Sequence, residues 1–154
     1  MISRYLDSSV VVKRYVDEAG SAWLRGLLAP AADALVFTSR LTAVETVSAF
    51  ARRLRDGTLT TDEFTALRDA FLTHCLDEYQ LIPVAADIIT LSCALLERRP
   101  LRAYDAVHLA TALVVQGFLA RRGQASLTFL SADDRLNRAA AVEGLPTDDP
   151  NQHA

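Results

Sequence analysis

Carboxylates placed where ligands bind are the first chemistry this sequence offers. Asp7 directly follows the apolar run Ile2–Leu6, and Ser131-Ala132-Asp133-Asp134 follows the run Leu127–Leu130. In open parallel sheets, ligands bind beyond the carboxyl ends of the strands, so side chains that follow strands face the crevice. Aspartate also caps helices, and for either aspartate taken alone capping is the favoured reading. Asp105 stands in the first turn of the apolar segment Tyr104–Leu119. There it either satisfies backbone N–H groups at the positive helix end or faces a cleft. On Leu41–Arg55, helical periodicity gives an apolar face of Val44, Val47, Ala51 and Leu54. Glu45 lies opposite, on a strip with Ser48 and Arg52 that reads as solvated. His108 sits among apolar neighbours and is expected in the core, outside any site. The sequence has no nucleophile elbow, glycine-rich phosphate loop or histidine-rich metal spacing.

The elements that must carry these residues alternate. Strands are expected at Ile2–Leu6, Ala34–Thr38, Gln80–Val84 and Leu127–Leu130, with a weak fifth at Leu145–Thr147. Helices are expected at Val10–Val16, capped by Ser8 or Ser9, and at Ala22–Leu28, Leu41–Arg55 and Ala86–Arg99. A further one begins at Thr60 or Thr61, followed by Tyr104–Leu119 and Asp133–Val142. This alternation predicts an α/β fold, a parallel sheet covered on both faces. The 154 residues suit one domain over residues 1–150 with a short tail, 151–154.

Composition narrows the class. Hydrophobic residues make up 51% and charged residues 23%, which excludes a disordered chain. Cys75 and Cys93 have neither zinc nor redox spacing and are expected to be reduced core residues. The nearly uncharged stretch Ala106–Ala120 falls short of the ~20 residues a membrane span needs, so a cytoplasmic protein without a membrane partner is expected. The net charge of −3 announces no nucleic-acid partner, yet all 16 basic residues except Lys13 are arginine, the residue suited to bidentate phosphate recognition.

Together these residues resemble the PIN-domain ribonucleases, and among them the VapC-type toxins of toxin–antitoxin pairs. The resemblance rests on Tyr5-Leu6-Asp7-Ser8-Ser9-Val10-Val11-Val12-Lys13, on Thr38-Ser39 with Glu45, on Leu101 to Ala112 around Tyr104-Asp105-Ala106, and on Leu130-Ser131-Ala132-Asp133. It spans nearly the whole chain in order and spacing. Serine stands at position 8, and at 131, where the family usually or often has threonine; the hydroxyl is kept. The resemblance implies a three-layer α/β/α domain whose parallel sheet runs in the order 3-2-1-4-5. Asp7 and Asp133 then flank the reversal of strand order. It further implies a metal-dependent endoribonuclease, with Asp7 and Asp105 as direct ligands of Mg2+ or Mn2+. Glu45 and Asp133 complete the acidic cluster, one or both through water, and Asp133 rather than Asp134 points inward. Ser9 is expected either to cap its helix or to position phosphate or a metal-bound water. Expected partners are an RNA substrate, a cognate antitoxin that pushes a basic side chain towards the cluster, and a second copy in a homodimer.

Two other readings compete. A haloacid-dehalogenase-type phosphatase would use Asp7 as nucleophile, but it wants a second acid where Ser9 stands and leaves Glu45 and Asp105 without roles. A catalytically silent PIN-fold binding module would usually have lost acidic members, and all four are present.

Overall fold

The computed structural model describes every residue from Met1 to Ala154. Strands β1 (Ile2–Leu6), β2 (Ala34–Ser39), β3 (Tyr79–Ile82), β4 (Thr128–Leu130) and β5 (Thr147–Asp148) form one sheet in the order 3-2-1-4-5. Every pairing is parallel, with Arg4 opposite Val36 on one side and Thr128 on the other. Parallel neighbours require crossovers, and helices supply them: α1 (Ser8–Tyr15) and α2 (Ser21–Leu27), then α3 (Leu41–Arg55) and α4 (Thr61–Asp77). The pair α5 (Ala86–Arg98) and α6 (Ala103–Arg121) precedes β4, and α7 (Asp134–Val142) precedes β5.

Strand side chains alternate between the two faces, so adjacent residues feed different cores. Tyr5 and Phe129 join a cluster with Leu109, Leu119 and Leu136, under α5–α7. Leu6 and Leu130 join Val10, Phe50, Phe71 and Tyr79, under α1–α4. The Tyr5 and Phe129 rings stack at 5.5 Å and lock β1 to β4 where strand order reverses. Helix α6 is long and apolar enough, by length and composition, to cross a membrane; in this fold eight of its residues, Leu109 and His108 among them, are buried in the domain.

Several expectations shift by a residue or by a face. Strand β3 stops at Ile82 rather than Val84, because Pro83 cannot donate to the ladder, and β5 lies one or two residues later than its apolar letters indicate. Thr60 caps α4 in a capping box with Glu63. Val44 is largely exposed, and α3 instead buries Thr42, Thr46 and Phe50. The Thr42 hydroxyl meets that of Thr38, which donates to the Leu6 carbonyl, so a polar pair sets the roll of the helix. Cys93 is exposed, since α5 buries Ile88, Ser92 and Leu95. The tail forms a 3-10 turn, Pro150–His153, with His153 stacked on Trp23 at 3.9 Å. Gly20 (φ 83°) permits this closure, as a Cβ there would meet the Pro150 carbonyl at 2.1 Å.

Candidate active site

The turns that leave β1 and β4 lie side by side at the carboxyl edge of the sheet, and hydroxyls stitch them together. Asp7, 4% exposed, is the N-cap of α1 in place of Ser8 or Ser9. Its Oδ1 accepts from the Val10 amide (3.1 Å) and the Ser9 hydroxyl (2.6 Å), and its Oδ2 from the Ser131 hydroxyl (2.7 Å). Each hydroxyl also accepts a backbone amide: Ser9 from Ala132 of the opposite turn, and Ser131 from Asp133 of its own. Ser9 thus orients Asp7 instead of capping the helix. Burial pushes the Asp7 carboxyl above its ordinary pKa, opposed by the nearby His108 and by the hydrogen bonds from Ser9, Ser131 and the Val10 amide.

The other three carboxylates close around it. Asp7, Glu45, Asp105 and Asp133 line one cleft of about 340 Å³ with Ser8, Ser9, Arg102 and Tyr104. Asp133 caps α7 through Oδ1 and turns Oδ2 to the cleft, where Arg102 meets it; Asp134 points away and pairs with Arg138. Thr38 and Ser39, the last two residues of β2, bond to local backbone and to Thr42 and do not line the cleft.

Two residues outside the expected set bind the cleft's carboxylates. His108 is buried as expected, yet its Nε2 lies 2.6 Å from Glu45 Oε1 and its Nδ1 lies 2.8 Å from the Tyr5 hydroxyl. An ionised carboxylate only accepts, so Nε2 donates to Glu45 and a neutral ring accepts the Tyr5 proton at Nδ1. Burial raises the Tyr5 pKa far above ordinary, which keeps that proton on the phenol. The sequence does hold a trace of this link: His108 follows Asp105 by three residues, the spacing of neighbours on one helix face. Arg102 is the other, spanning Asp105 (3.1 Å) and Asp133 (3.3 Å) with a side chain 77% exposed. The bond to Asp105 raises the guanidinium pKa further.

Carboxylates gathered beyond the reversal point of a 3-2-1-4-5 sheet define a class of α/β/α domains with an acidic cleft at the strand ends. The chain belongs to the PIN domain family, whose model matches residues 4–142. No functionally curated protein matches it at significant similarity. Its fold is shared with a toxin–antitoxin complex from Klebsiella pneumoniae, at TM-score 0.61 and 18% identity over 96% of this chain and 97% of that one. FitAcB from Neisseria gonorrhoeae superposes at TM-score 0.63 and 18% identity, covering 97% and 98%. VapC20 of Mycobacterium tuberculosis, described as a sarcin-ricin loop cleaving toxin, superposes at 0.59 and 18%, covering 92% and 95%. This membership removes the phosphatase reading.

Proposed function

We propose that the protein is a metal-dependent endoribonuclease, the toxin of a toxin–antitoxin pair, which hydrolyses RNA phosphodiester bonds in this cleft. The observation that carries the reading is the convergence of Asp7, Glu45, Asp105 and Asp133 on one cleft whose only guanidinium, Arg102, is borrowed from its rim.

The donor set fits a hard divalent cation, being all oxygen and mostly carboxylate. Arg102 shows that the cleft draws in positive charge. No three of its acidic or imidazole groups stand close enough to hold one ion as placed, so the side chains draw together when an ion binds, in competition with Arg102. Asp7 and Asp105 would be the direct ligands. When bound, Mg2+ or Mn2+ supplies a water of lowered pKa and positive charge beside the phosphate oxygens. The chain's own residues do the rest. Ser9 and Ser131 fix the Asp7 carboxylate, whose Oδ2, with a single donor, keeps lone-pair capacity for a ligand. His108 holds Glu45 by one oxygen and leaves the other to hold a water and take its proton. Asp133 holds its place as the α7 cap and orients solvent from the opposite wall.

The fold shared with a toxin–antitoxin complex supports a protein partner, and a basic side chain from it would take the place Arg102 now fills. Apolar side chains left exposed at Val44, Val84 and Ile89 supply material for a homodimer contact. A cytoplasmic location fits such a pair.

The test is cleavage of total cellular RNA by the purified, antitoxin-free protein in Mg2+, Mn2+ or EDTA, with Asp7→Asn and Asp105→Asn in parallel. Discrete fragments that require metal and vanish in both variants are expected. Intact RNA in every condition, from protein shown to be folded, would overturn the reading and leave a binding module.

A further inference from the structure

A second cavity, of about 480 Å³, opens directly from the acidic cleft and shares Ser8, Ser9, Glu45 and Tyr104 with it. Its chemistry is opposite. Beyond Glu45 its wall carries Lys13, Arg52 and Arg53 against a single acid, Glu18. Glu18 is already held, by Lys13 at 3.1 Å and by Arg53 at 2.6 Å. Lys13 is itself buried and also donates to the Ala19 carbonyl. Arg52, exposed on α3 two turns after Glu45, makes no ion pair and no side-chain hydrogen bond. Tyr104, next to Asp105, is 61% exposed with a free hydroxyl, an unusual surface position for so large a ring.

A polyanion held at the acidic cleft must continue past it. Its neighbouring phosphates need cations, and its bases need flat apolar surfaces. The groove offers both, at the seam where a strand would leave the carboxylates. We propose that this groove, walled by Ser48, Arg52, Arg53 and Tyr104, seats the RNA strand beside the scissile phosphate, Arg52 pairing with an adjacent phosphate and Tyr104 stacking on the adjoining base. Stacking on Tyr104 requires a base free of its helix, so the substrate class is single-stranded or loop RNA. Neither contact reads base identity, so both act alike on all sequences. This inference rests on the nuclease reading, and its test separates the two.

The experiment is steady-state cleavage of a single-stranded RNA in Mn2+ by the parent, Arg52→Gln and Tyr104→Leu, across a salt series. Both side chains are exposed and unpaired, so unchanged thermal melting is expected. Each variant should raise KM about ten-fold, as one lost stacking or phosphate contact does, with kcat within about two-fold. Arg52→Gln should also flatten the slope of log KM against log salt by about 0.7, whereas Tyr104→Leu leaves that slope in place. Unchanged KM and slope in both variants, with an active parent, would overturn the groove while the nuclease stands. Unchanged KM with lost capture of an antitoxin would overturn it too, assigning the groove to the protein partner. A parent that cleaves no RNA would remove both readings at once.

Discussion

Two polar clusters, one between α1, α4 and β3 and one at the carboxyl edge of the sheet, differ in charge balance. The cluster between α1, α4 and β3 is closed on itself. Arg14 donates to the Tyr79 hydroxyl (2.9 Å) and pairs with Glu78 (2.8 Å), and the Tyr15 hydroxyl lies between His74 (2.6 Å) and Tyr79 (2.9 Å). Burial raises the Tyr15 and Tyr79 pKa values, so both stay neutral, and one arginine faces one glutamate. The cleft at the strand ends is open by contrast: four carboxylates face one rim arginine and one histidine. A balanced network holds a fold together, and an unbalanced one waits for a ligand.

The widest separation between the clusters should come from one substitution in each. Asp7→Asn should abolish metal-dependent cleavage yet raise the melting temperature in EDTA at neutral pH. Because burial raises the Asp7 pKa, the folded state binds that proton more tightly than the unfolded one. Its contribution to stability is therefore best at low pH and declines as pH rises through the raised value. Asparagine removes the charged form, so its advantage should appear as pH rises and fade below the ordinary carboxylate range. About 1 kcal/mol would show as roughly 2–4 °C in a domain of this size. Arg14→Ala should do the reverse, lowering stability by about 1.5–3 kcal/mol, the worth of hydrogen bonds to a charged group, with kcat per folded molecule intact. Calorimetry beside cleavage kinetics checks both, and an Arg14→Ala protein that is stable but inactive would break the distinction.

His108 belongs to both kinds of cluster, buried like one and joined to the other. Its loss should weaken activity about 10–100-fold, the usual cost of removing the partner that orients a metal-site ligand. His108→Leu strands the Tyr5 hydroxyl as well and should lower stability. His108→Gln keeps a donor near the Nε2 position, so it should recover part of kcat. Equal kcat for Leu and Gln at equal stability would reduce His108 to a packing residue.

How much of this was legible in the sequence depends on the length scale of the cause. The strand-end positions of Asp7 and Asp133 follow from the alternation of elements, and the strand order is implied by the family resemblance alone; the structure has the same sheet order. Periodicity put Glu45 on a strip with Ser48 and Arg52, and all three do line one cavity. That the strip is a groove wall rather than a solvated face depends on α1 and α6 passing nearby, which no helical period records. Periodicity misses the roll of α3 because Thr42 and Thr46 count as polar, while the Thr38–Thr42 pair makes burial of Thr42 cheap. The pairing of His108 with Glu45 spans 63 residues, and Ser131 with Asp7 spans 124. Such contacts exist only once the sheet has assembled.

The smallest effect tests the imbalance itself. If Arg102 stands in for a cation, then removing it should help a cation enter, contrary to the loss expected when a basic residue holds substrate. Its bonds to Asp105 and Asp133 are single contacts at 3.1 and 3.3 Å from an exposed side chain, so solvent screens them heavily. Pairs of that kind are worth about 0.2–1 kcal/mol, which converts to a tighter Mn2+ affinity of roughly 1.5–5-fold for Arg102→Ala. Calorimetric titration of Mn2+ into both proteins without RNA reads this directly. Unchanged or weaker binding would show that the guanidinium does not compete for the carboxylates, and the cleft would then hold its ion beside Arg102 rather than in its place.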